Sequence, residues 1–354
     1  MFTPPFCPRP SCSQHQDSVP HFFILFGTYS PKCRARPVQR YRCRSCKLTF
    51  SRQTFRSDYR DHKPYLNASL FQLVSSGIGI RQCSRLTGLS LRCTELKLRK
   101  LGRHAEHLNK NILRPLQGAV EFHLDEFETY ESQRNARPLT VPMLILSESR
   151  YIVWSESAPI RPRGKMTQKR LEDIRRSEER HGHRIDQSRE SLVRTLDHGA
   201  KLAAEADLVV LSTDEKSTYP GLAKKAFRAA RLVHKTTNSK LARDTLNPLF
   251  PINHEEAMVR DLMGRLRRES WLVSKDGGYL NLALQLHAAH RNLVRRRFNR
   301  DKASAAEVAG LMPRRLKPHE VLSWRQIWGK RSVHPLSADG STIERWEAHL
   351  QAAA

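Results

Sequence analysis

The first fifty residues of the chain contain two pairs of closely spaced cysteines, Cys7 with Cys12 in CPRPSC and Cys43 with Cys46 in YRCRSCK. Two such short turns can place four thiolates around one Zn²⁺ ion in the tetrahedral geometry that this metal prefers. The stretch between the pairs alternates apolar and polar residues, which is typical of a β-ribbon. We therefore predict a zinc ribbon over residues 1–60 with these four cysteines as ligands, a module too small to fold without its metal.

The remaining cysteines leave alternatives open. The chain has seven cysteines in total, and Cys33 is a rival for the position of fourth zinc ligand. Cys83 and Cys93 fall in helical patterns, which favours small core residues. Without a secretory signal, a framework of disulfides is not expected. A cluster of unligated cysteines is the alternative to the metal site.

Lysine and arginine outnumber aspartate and glutamate by 62 to 35, which gives a formal net charge of +27. An excess of this size favours a polyanionic partner, because neutralised phosphates release counterions and thereby supply affinity. Double-stranded DNA is the expected partner, and a ribosomal-type RNA binder or a merely soluble basic surface are the alternatives. No apolar run approaches the roughly 20 residues that a membrane-spanning helix needs. The sequence therefore predicts no membrane partner.

Residues 61–115 show an apolar spacing that predicts three helices, the third of which follows a glycine turn at Gly88 and has Ser90 as its N-cap. Two short helices, a glycine turn and a basic third helix describe a helix-turn-helix DNA-binding unit. A further basic run lies past residue 290, where a solvated cationic helix end is the alternative to a DNA contact. The residues expected to contact DNA are Arg42, Arg44, Lys47, Arg92, Lys97, Arg99, Lys100, Arg295 and Arg296.

Two acidic residues follow apolar runs in the second part of the chain. Asp125 ends the alternating segment AVEFHLD, and Asp214 follows the hydrophobic run DLVVLST. The latter is typical of a central strand whose two faces are both covered, which predicts an α/β core. Neighbouring strands can bring the two carboxylates close enough to share divalent metal, which would activate a water or a 3′-hydroxyl and stabilise the leaving oxygen. The alternative is that both acids are ordinary turn or capping residues.

Four blocks of the sequence, in order, resemble the bacterial insertion-sequence transposases of the DDE superfamily, most of all the IS-one type. The blocks are QRYRCRSCKLTFS (39–51), HLDEFETY (123–130), LSTDEKSTYP (211–220) and RDLMGRLRRESWLVSK (260–275). This resemblance implies a ribonuclease-H-like catalytic core behind a zinc ribbon and a helix-turn-helix, with Asp125 and Asp214 as the first two catalytic carboxylates. It also implies Mg²⁺ or Mn²⁺ as the catalytic metal, and strand transfer without a covalent protein intermediate.

The third catalytic ligand of that family is where this sequence departs from the pattern. Counting back from Arg260, the position of the family's glutamate is Asn253, whose amide can ligate metal only through a neutral oxygen. Glu256 lies three residues further on, and hence on the same face of a helix expected over residues 253–271. Some related elements use an asparagine here, so Asn253 and Glu256 are equal candidates, ahead of Glu255 and Asp261. An inactive copy is also consistent with the departure.

These expectations combine into a DNA transposase that binds terminal inverted repeats and performs metal-dependent cleavage and transfer of DNA strands. The expected domains are a zinc ribbon (1–60), a helix-turn-helix (61–115), a catalytic domain (116–300) with a helical insertion (163–206), and a tail (301–354) whose tryptophans pack against the core or a partner subunit. We expect a homo-oligomer on DNA, located in the bacterial cytoplasm at the nucleoid. The alternatives are a non-catalytic DNA-binding regulator derived from a transposase and a metal-dependent nuclease.

Overall fold

A computed structural model describes residues 2–32, 36–267 and 271–324, together with Trp346 and Leu350. The rival zinc ligand Cys33 and the tail residue Trp328 lie outside these residues. Within the described part of the chain, no helix combines the length and the apolar character that crossing a membrane requires.

The N-terminal residues form a small antiparallel sheet beside a short helix. Its elements are α1 (Ser13–Gln16), β1 (Phe23–Tyr29), β2 (Val38–Cys43) and β3 (Thr49–Ser51), and a 3-10 turn follows at Arg52–Phe55. The strands lie in the order β1-β2-β3. The rings of Phe22, Tyr41, Phe50 and Phe55 pack together in a core separate from the rest of the chain. A core of this size is too small to stabilise the module alone.

Three helices follow the N-terminal sheet, α2 (Asn67–Ser75), α3 (Ile80–Thr87) and α4 (Leu91–Ile112). Gly88 turns the chain between α3 and α4 with a φ of +64°, a backbone conformation that favours glycine. The Ser90 hydroxyl caps α4 by accepting a hydrogen bond from the amide of Cys93. These are the three helices expected from the apolar spacing.

A mixed sheet of six strands forms the centre of the molecule. Its strands are β4 (Gln117–Tyr130), β5 (Pro138–Leu146), β6 (Ile152–Ser155), β7 (Ala158–Pro159), β8 (Glu205–Asp214) and β9 (Arg231–Thr237). Five strands lie in the order β6-β5-β4-β8-β9, and β7 pairs with β5. The central strand β4 pairs antiparallel with β5 and parallel with β8, and β8 pairs parallel with β9. The expected α/β class is confirmed as a mixed sheet with helices.

The helices in and after the sheet region surround these strands. They are α5 (Gln168–His181), α6 (Ser188–Leu202), α7 (Tyr219–Ala226), α8 (Phe250–Leu262), α9 (Gly277–Ala289), α10 (Ala305–Val308) and α11 (Pro318–Val321), with a π-helical turn at His290–Val294. In α5 only Ser177 is buried, so this helix is largely solvated. Both α5 and α6 fall within residues 163–206, which the sequence predicts to be a helical insertion, and they lie between β7 and β8.

Alternate side chains of β4 point to opposite faces of the sheet, and each face packs against its own helices. Phe122 and Leu124 belong to a hydrophobic cluster with residues of α4, α6 and α7. Phe127 belongs to a second cluster with residues of α8 and α9. Because the first cluster includes Leu101 and Leu108 of α4, the three-helix unit and the sheet share one core.

The contact between α4 and α9 is close. A Cβ atom added at Gly102 would lie 2.6 Å from the Cβ of Leu282. About two turns further along α4, the Asn109 amide donates to the carbonyl oxygen and the side-chain oxygen of Gln285, at 3.0 and 2.9 Å. Only residues 113–116 separate α4 from β4. The helices α2–α4 are therefore attached to the sheet by packing rather than by a linker.

The described part of the C-terminal tail packs against α4. The side chain of Trp324 is 1% exposed and lies beside the imidazole of His104, with ring centres 5.9 Å apart. His104 Nε2 in turn lies 2.9 Å from the carbonyl oxygen of Val321. The Trp346 indole donates to the hydroxyl of Ser323 at 2.9 Å. Packing against the core, one of the two expectations for the tail, therefore holds for these tryptophans.

Two expected element ends are wrong. Strand β4 does not end at Asp125 but continues to Tyr130, because its pairing with β5 extends beyond its pairing with β8. Helix α8 ends at Leu262 instead of running on to residue 271. Just beyond that end, a Cβ at Gly264 would lie 2.7 Å from the carbonyl oxygen of Gly77, so the chain there is pressed against the turn between α2 and α3.

Candidate active site and metal centre

The four cysteines of the two N-terminal pairs come together. Cys7 and Cys12 precede α1, Cys43 is the last residue of β2, and Cys46 lies in the turn to β3. Their sulfur atoms all lie within 4.8 Å of one another, with Cys7 3.5 Å from Cys46 and Cys12 3.8 Å from Cys43. Thiolates bound tetrahedrally to zinc at about 2.3 Å would be about 3.8 Å apart. The cluster thus has the ligands and the dimensions to hold a structural Zn²⁺ ion.

The electrostatics of the cluster also favour a cation. Burial raises the pKa of the Cys7 and Cys12 thiols. For Cys43, burial acts in the same direction, but hydrogen bonds from the backbone amides of Cys46 and Ser45 outweigh it and lower the pKa. Ionised thiolates this close together repel one another, and a bound Zn²⁺ would offset both the repulsion and the burial.

Cationic side chains surround the cysteine module. The Arg42 guanidinium lies over the ring of Phe26, 5.2 Å from its centre. Arg44 and Lys47 are exposed, and Lys47 Nζ donates to the carbonyl oxygen of Arg44 at 2.7 Å. All three predicted contacts of this module therefore reach its surface, where a polyanion could meet them.

Two basic residues of α4, Lys97 and Lys100, do not lie on the exposed face that the sequence predicts. Lys97 is 4% exposed, and its Nζ donates to the Asn67 side chain at 2.9 Å and lies 3.4 Å from the carboxylate of Asp61. Lys100 lies 3.0 Å from the same carboxylate. These two lysines join α4 to the segment before α2, because a carboxylate from that segment attracts them. Lys97 is therefore buried and not part of an exposed basic face, whereas Lys100 is half-buried.

The other predicted DNA contacts differ in exposure. Arg92 is exposed in the first turn of α4, whereas the Arg99 guanidinium lies over the ring of Tyr279, 5.1 Å from its centre. Past the π-helical turn, Arg296 is exposed and Arg295 is half-buried. Arg92 and Arg296 are thus the most accessible members of the predicted set in this part of the chain.

Asp125 and Asp214 lie side by side on neighbouring strands. The last pair in the parallel pairing of β4 with β8 places His123 opposite Ser212. Both strands continue two residues further, to Asp125 and Asp214. Since residues two apart in a strand share a face, both carboxylates project from the same face of the sheet. That face is the one against which α8 packs.

Glu256 of α8 adds a third carboxylate to this face, and we call Asp125, Asp214 and Glu256 the carboxylate cluster. Burial and the charge of Asp214 raise the pKa of Asp125 to about 6, and burial and the charge of Asp125 raise the pKa of Glu256 to about 8. Glu256 is 4% exposed, and its buried Oε1 receives no hydrogen bond from the described residues. A divalent cation with a preference for oxygen ligands would relieve both the repulsion and the burial.

The other candidates for the third ligand are placed differently. Glu255 is buried in a two-point ion pair with Arg291, at 2.5 and 2.9 Å, and is therefore already neutralised. Asp261 is exposed near the end of α8, and Asn253 is half-buried one turn before Glu256. Among described residues, the cysteines alone form a group of three or more close metal ligands. The carboxylate cluster would therefore need side-chain rotations to share an ion.

A small cavity of about 110 Å³ is lined by Asp125, by Asp214 and by polar side chains that the sequence analysis did not identify as candidates. Glu126 accepts hydrogen bonds from Lys216 Nζ at 2.5 Å and from the Tyr219 hydroxyl at 3.1 Å. Burial and the neighbouring carboxylates raise the pKa of Tyr219 well above its ordinary range. Lys216 and Tyr219 follow Asp214 within the block 211–220. This proximity in sequence was the only feature that could have identified them as residues of the site.

Comparison with known proteins adds no assignment. No family of known proteins matches the chain, and no curated protein matches it in sequence. A functional interpretation therefore depends on the residue pattern and on the geometry of the four-cysteine site and the carboxylate cluster.

Proposed function

We propose that this protein is a DNA transposase, which binds the terminal inverted repeats of an insertion sequence and cuts and joins DNA strands with the help of divalent metal. The observation that carries the proposal is the carboxylate cluster, in which acids from two adjacent strands and one helix share one face of the sheet, and the pKa values of Asp125 and Glu256 are raised by burial and by a neighbouring carboxylate. Such an arrangement is costly for stability unless a cation occupies it. Perturbed carboxylates that share a site are typical of catalytic centres.

In this proposal the metal ligands are Asp125, Asp214 and Glu256. Bound there, Mg²⁺ or Mn²⁺ would activate a water or a 3′-hydroxyl and stabilise the leaving oxygen. Glu256 is preferred to Asn253 because it is buried, because its carboxyl can lose its proton to a bound cation whereas an amide stays neutral, and because its Oε1 has no hydrogen bond from the described residues. The Lys216 backbone amide donates to Asp214 Oδ1 at 3.1 Å and helps to fix the orientation of this carboxylate.

The architecture of the sheet supports a ribonuclease-H-like core. Three consecutive strands, β4 to β6, pair antiparallel, and β8 and β9 then join the other side of β4 in parallel. A core of that type combines antiparallel and parallel strands in one sheet in this way. The two aspartates come from the adjacent strands β4 and β8, as the resemblance to insertion-sequence transposases implies.

DNA recognition is assigned to the cysteine module and to the exposed residues of α2–α4. The net charge of +27 and the surface position of Arg42, Arg44, Lys47 and Arg92 support this assignment. Phosphate contacts of this kind make affinity fall steeply with salt. Because α4 shares its core with the sheet, the separable part of the DNA-binding region is the cysteine module rather than all residues up to 115.

The proposal is tested by strand cleavage and strand transfer with a supercoiled plasmid that carries the ends of the element. Asp125→Asn and Asp214→Asn should each abolish both reactions in Mg²⁺ or Mn²⁺ while leaving DNA binding in a gel-shift assay intact. Asp207→Asn, at the exposed opposite end of β8, is the matched control and should retain activity. Near wild-type cleavage by both site variants would refute the proposed mechanism.

The same assay separates the alternatives. A wild-type protein that binds the element ends without cutting them would be a regulator, and one that cuts without joining would be a nuclease. Joined products that require divalent metal are the result expected for a transposase.

A further inference from the structure

A second cleft, of about 700 Å³, lies between α3, the start of α4 and two described stretches after α8, residues 263–265 and 271–276. This volume is within the range of sites that bind small molecules. None of the three residues of the carboxylate cluster lines it. The cleft therefore requires an explanation other than the proposed strand chemistry.

The walls of the cleft are held together by close contacts. A Cβ at Gly79 would lie 2.7 Å from a methyl group of Leu272, and a Cβ at Gly264 would lie 2.7 Å from the carbonyl oxygen of Gly77. Glycine at these positions lets the segment after α8 approach the turn between α2 and α3. The space between the walls is thus bounded by tight packing on one side.

His287 of α9 lines the cleft and is 2% exposed. Neither of its ring nitrogens has a hydrogen-bond partner among the described residues. Burial lowers the pKa of His287 to about 3, so the imidazole is neutral and offers one donor and one acceptor. An unsatisfied buried polar atom is costly, and a donor or acceptor of a ligand in the cleft would satisfy one of the two ring nitrogens, which point in divergent directions.

Two aromatic side chains also line the cleft. The indole of Trp271 is 98% exposed, and Tyr279 is half-buried. A solvated aromatic face is suited to stacking against a planar ring such as a nucleobase. The edge of a base also carries donors and acceptors, one of which can pair with a ring nitrogen of a neutral imidazole.

The rim of the cleft is cationic. Arg81 and Arg85 of α3 and Lys275 before α9 are exposed and line it. Two carboxylates oppose them, Glu95 and Asp276, but Asp276 is already engaged as the N-cap of α9. The three exposed cations are suited to contact with a phosphate.

We propose that this cleft binds one nucleotide, with the base against Trp271, its polar edge toward His287 and its phosphate at Arg81 and Lys275. The nucleotide is either one unit of a nucleic-acid strand or a mononucleotide in solution, since both present the same chemistry. This inference goes beyond the proposed transposase, because it requires neither the carboxylate cluster nor strand cleavage.

The test uses the full-length protein and two probes. The first is a short single-stranded oligodeoxynucleotide with one 2-aminopurine, whose fluorescence responds to stacking. The second is a pair of mononucleotides, dAMP and dTMP, added as competitors and also titrated alone by calorimetry. Moderate salt suppresses contacts that depend on phosphate charge alone. Each of the variants below is made in a protein that also carries Asp125→Asn, and that protein is the reference, so that cleavage of the oligonucleotide does not interfere.

Trp271→Ala should weaken the fluorescence-detected binding about tenfold, as loss of one base–aromatic stack does. Lys275→Ala should weaken it less, and His287→Leu should abolish any difference between the two mononucleotides. Tyr65→Ala and Lys224→Ala are controls, since both replace exposed residues of the same types outside the cleft and should have no effect.

Competition by mononucleotides would identify a free nucleotide as the ligand, and absence of competition would identify a nucleotide within a strand; both support the proposal. If His287→Leu fails to fold, the Trp271→Ala and Lys275→Ala variants are sufficient to test the proposed nucleotide site, because both residues are exposed. The proposal is overturned when Trp271→Ala and Lys275→Ala bind both probes as the wild type does, or when the wild type gives no fluorescence change and no heat.

Discussion

Glu256→Gln is expected to stabilise the metal-free protein at neutral pH. Burial and the charge of Asp125 raise the pKa of Glu256 from its ordinary value of 4.5 to about 8. Between these two values the folded chain holds the proton more tightly than the unfolded chain, so ionisation opposes folding. The penalty is absent below about pH 4.5, grows as the pH rises and is complete above about pH 8. Glutamine keeps the shape of the side chain and cannot ionise.

The size of the effect follows from these pKa values. At pH 7 the carboxyl has passed its ordinary pKa by about 2.5 pH units, which corresponds to about 3 kcal/mol at 1.36 kcal/mol per unit. Solvent screening reduces this little, because Glu256 is 4% exposed. In a chain of this length the free-energy difference raises the melting temperature of the Glu256→Gln variant by about 5 °C at pH 7.

The measurement is thermal unfolding from pH 5 to pH 8 in magnesium-free buffer without a chelator, which would also remove zinc. The wild type and the Glu256→Gln variant should have similar melting temperatures at pH 5 and diverge as the pH rises. Added Mg²⁺ should stabilise the wild type at pH 7 more than the variant. Glu205→Gln, an exposed position at the start of β8, is the control and should follow the wild type. Parallel curves for wild type and Glu256→Gln would show that Glu256 is not buried beside Asp125.

Three further predictions concern the metal site, the α4–α9 contact and a buried ion pair. Cys43→Ser should reduce bound zinc well below one ion per chain by metal analysis, and unchanged zinc would rule out the four-cysteine site. Gly102→Leu should lower the free energy of unfolding in urea by about 3 kcal/mol, because α9 leaves no room for a side chain, whereas Gly221→Leu on the open side of α7 should not. Arg291→Met should lower the free energy of unfolding by about 3–5 kcal/mol, because the buried Glu255 carboxylate keeps only the His254 imidazole, 3.4 Å away, and adding Glu255→Gln should recover most of the loss.

Features determined by neighbouring residues were predictable from the sequence. The glycine turn at Gly88 and the Ser90 cap need only residues within one helical turn, and both occur as expected. The cysteine pairs were also recognisable, because each pair is fixed by a short turn and zinc requires four ligands. The apolar run before Asp214 is long enough to identify a central strand without knowledge of its neighbours.

Features determined by distant residues were not predictable in the same way. Lys97 looked like part of a basic DNA-binding face, but Asp61, thirty-six residues earlier, draws it into the protein. Strand β4 continues past Asp125 because β5 pairs with it there, and the pattern of β4 alone does not contain that information. The choice between Asn253 and Glu256, which share one helical face, likewise depends on which turn of α8 packs beside Asp125, and the sequence of the helix does not contain that information.

The packing of α4 against α9 has a consequence for how such a protein evolves. With four residues between α4 and β4 and a glycine contact at Gly102, no hinge separates the helices that would hold DNA from the acids that would cut it. The distance between a DNA sequence bound by α2–α4 and the bond that is cleaved would then be fixed by the packing of the fold. New end sequences would have to be read by the separate cysteine module or by replaced exposed side chains on α2–α4. Exchange of the whole recognition unit would fail unless the matching surface of α9 were exchanged with it.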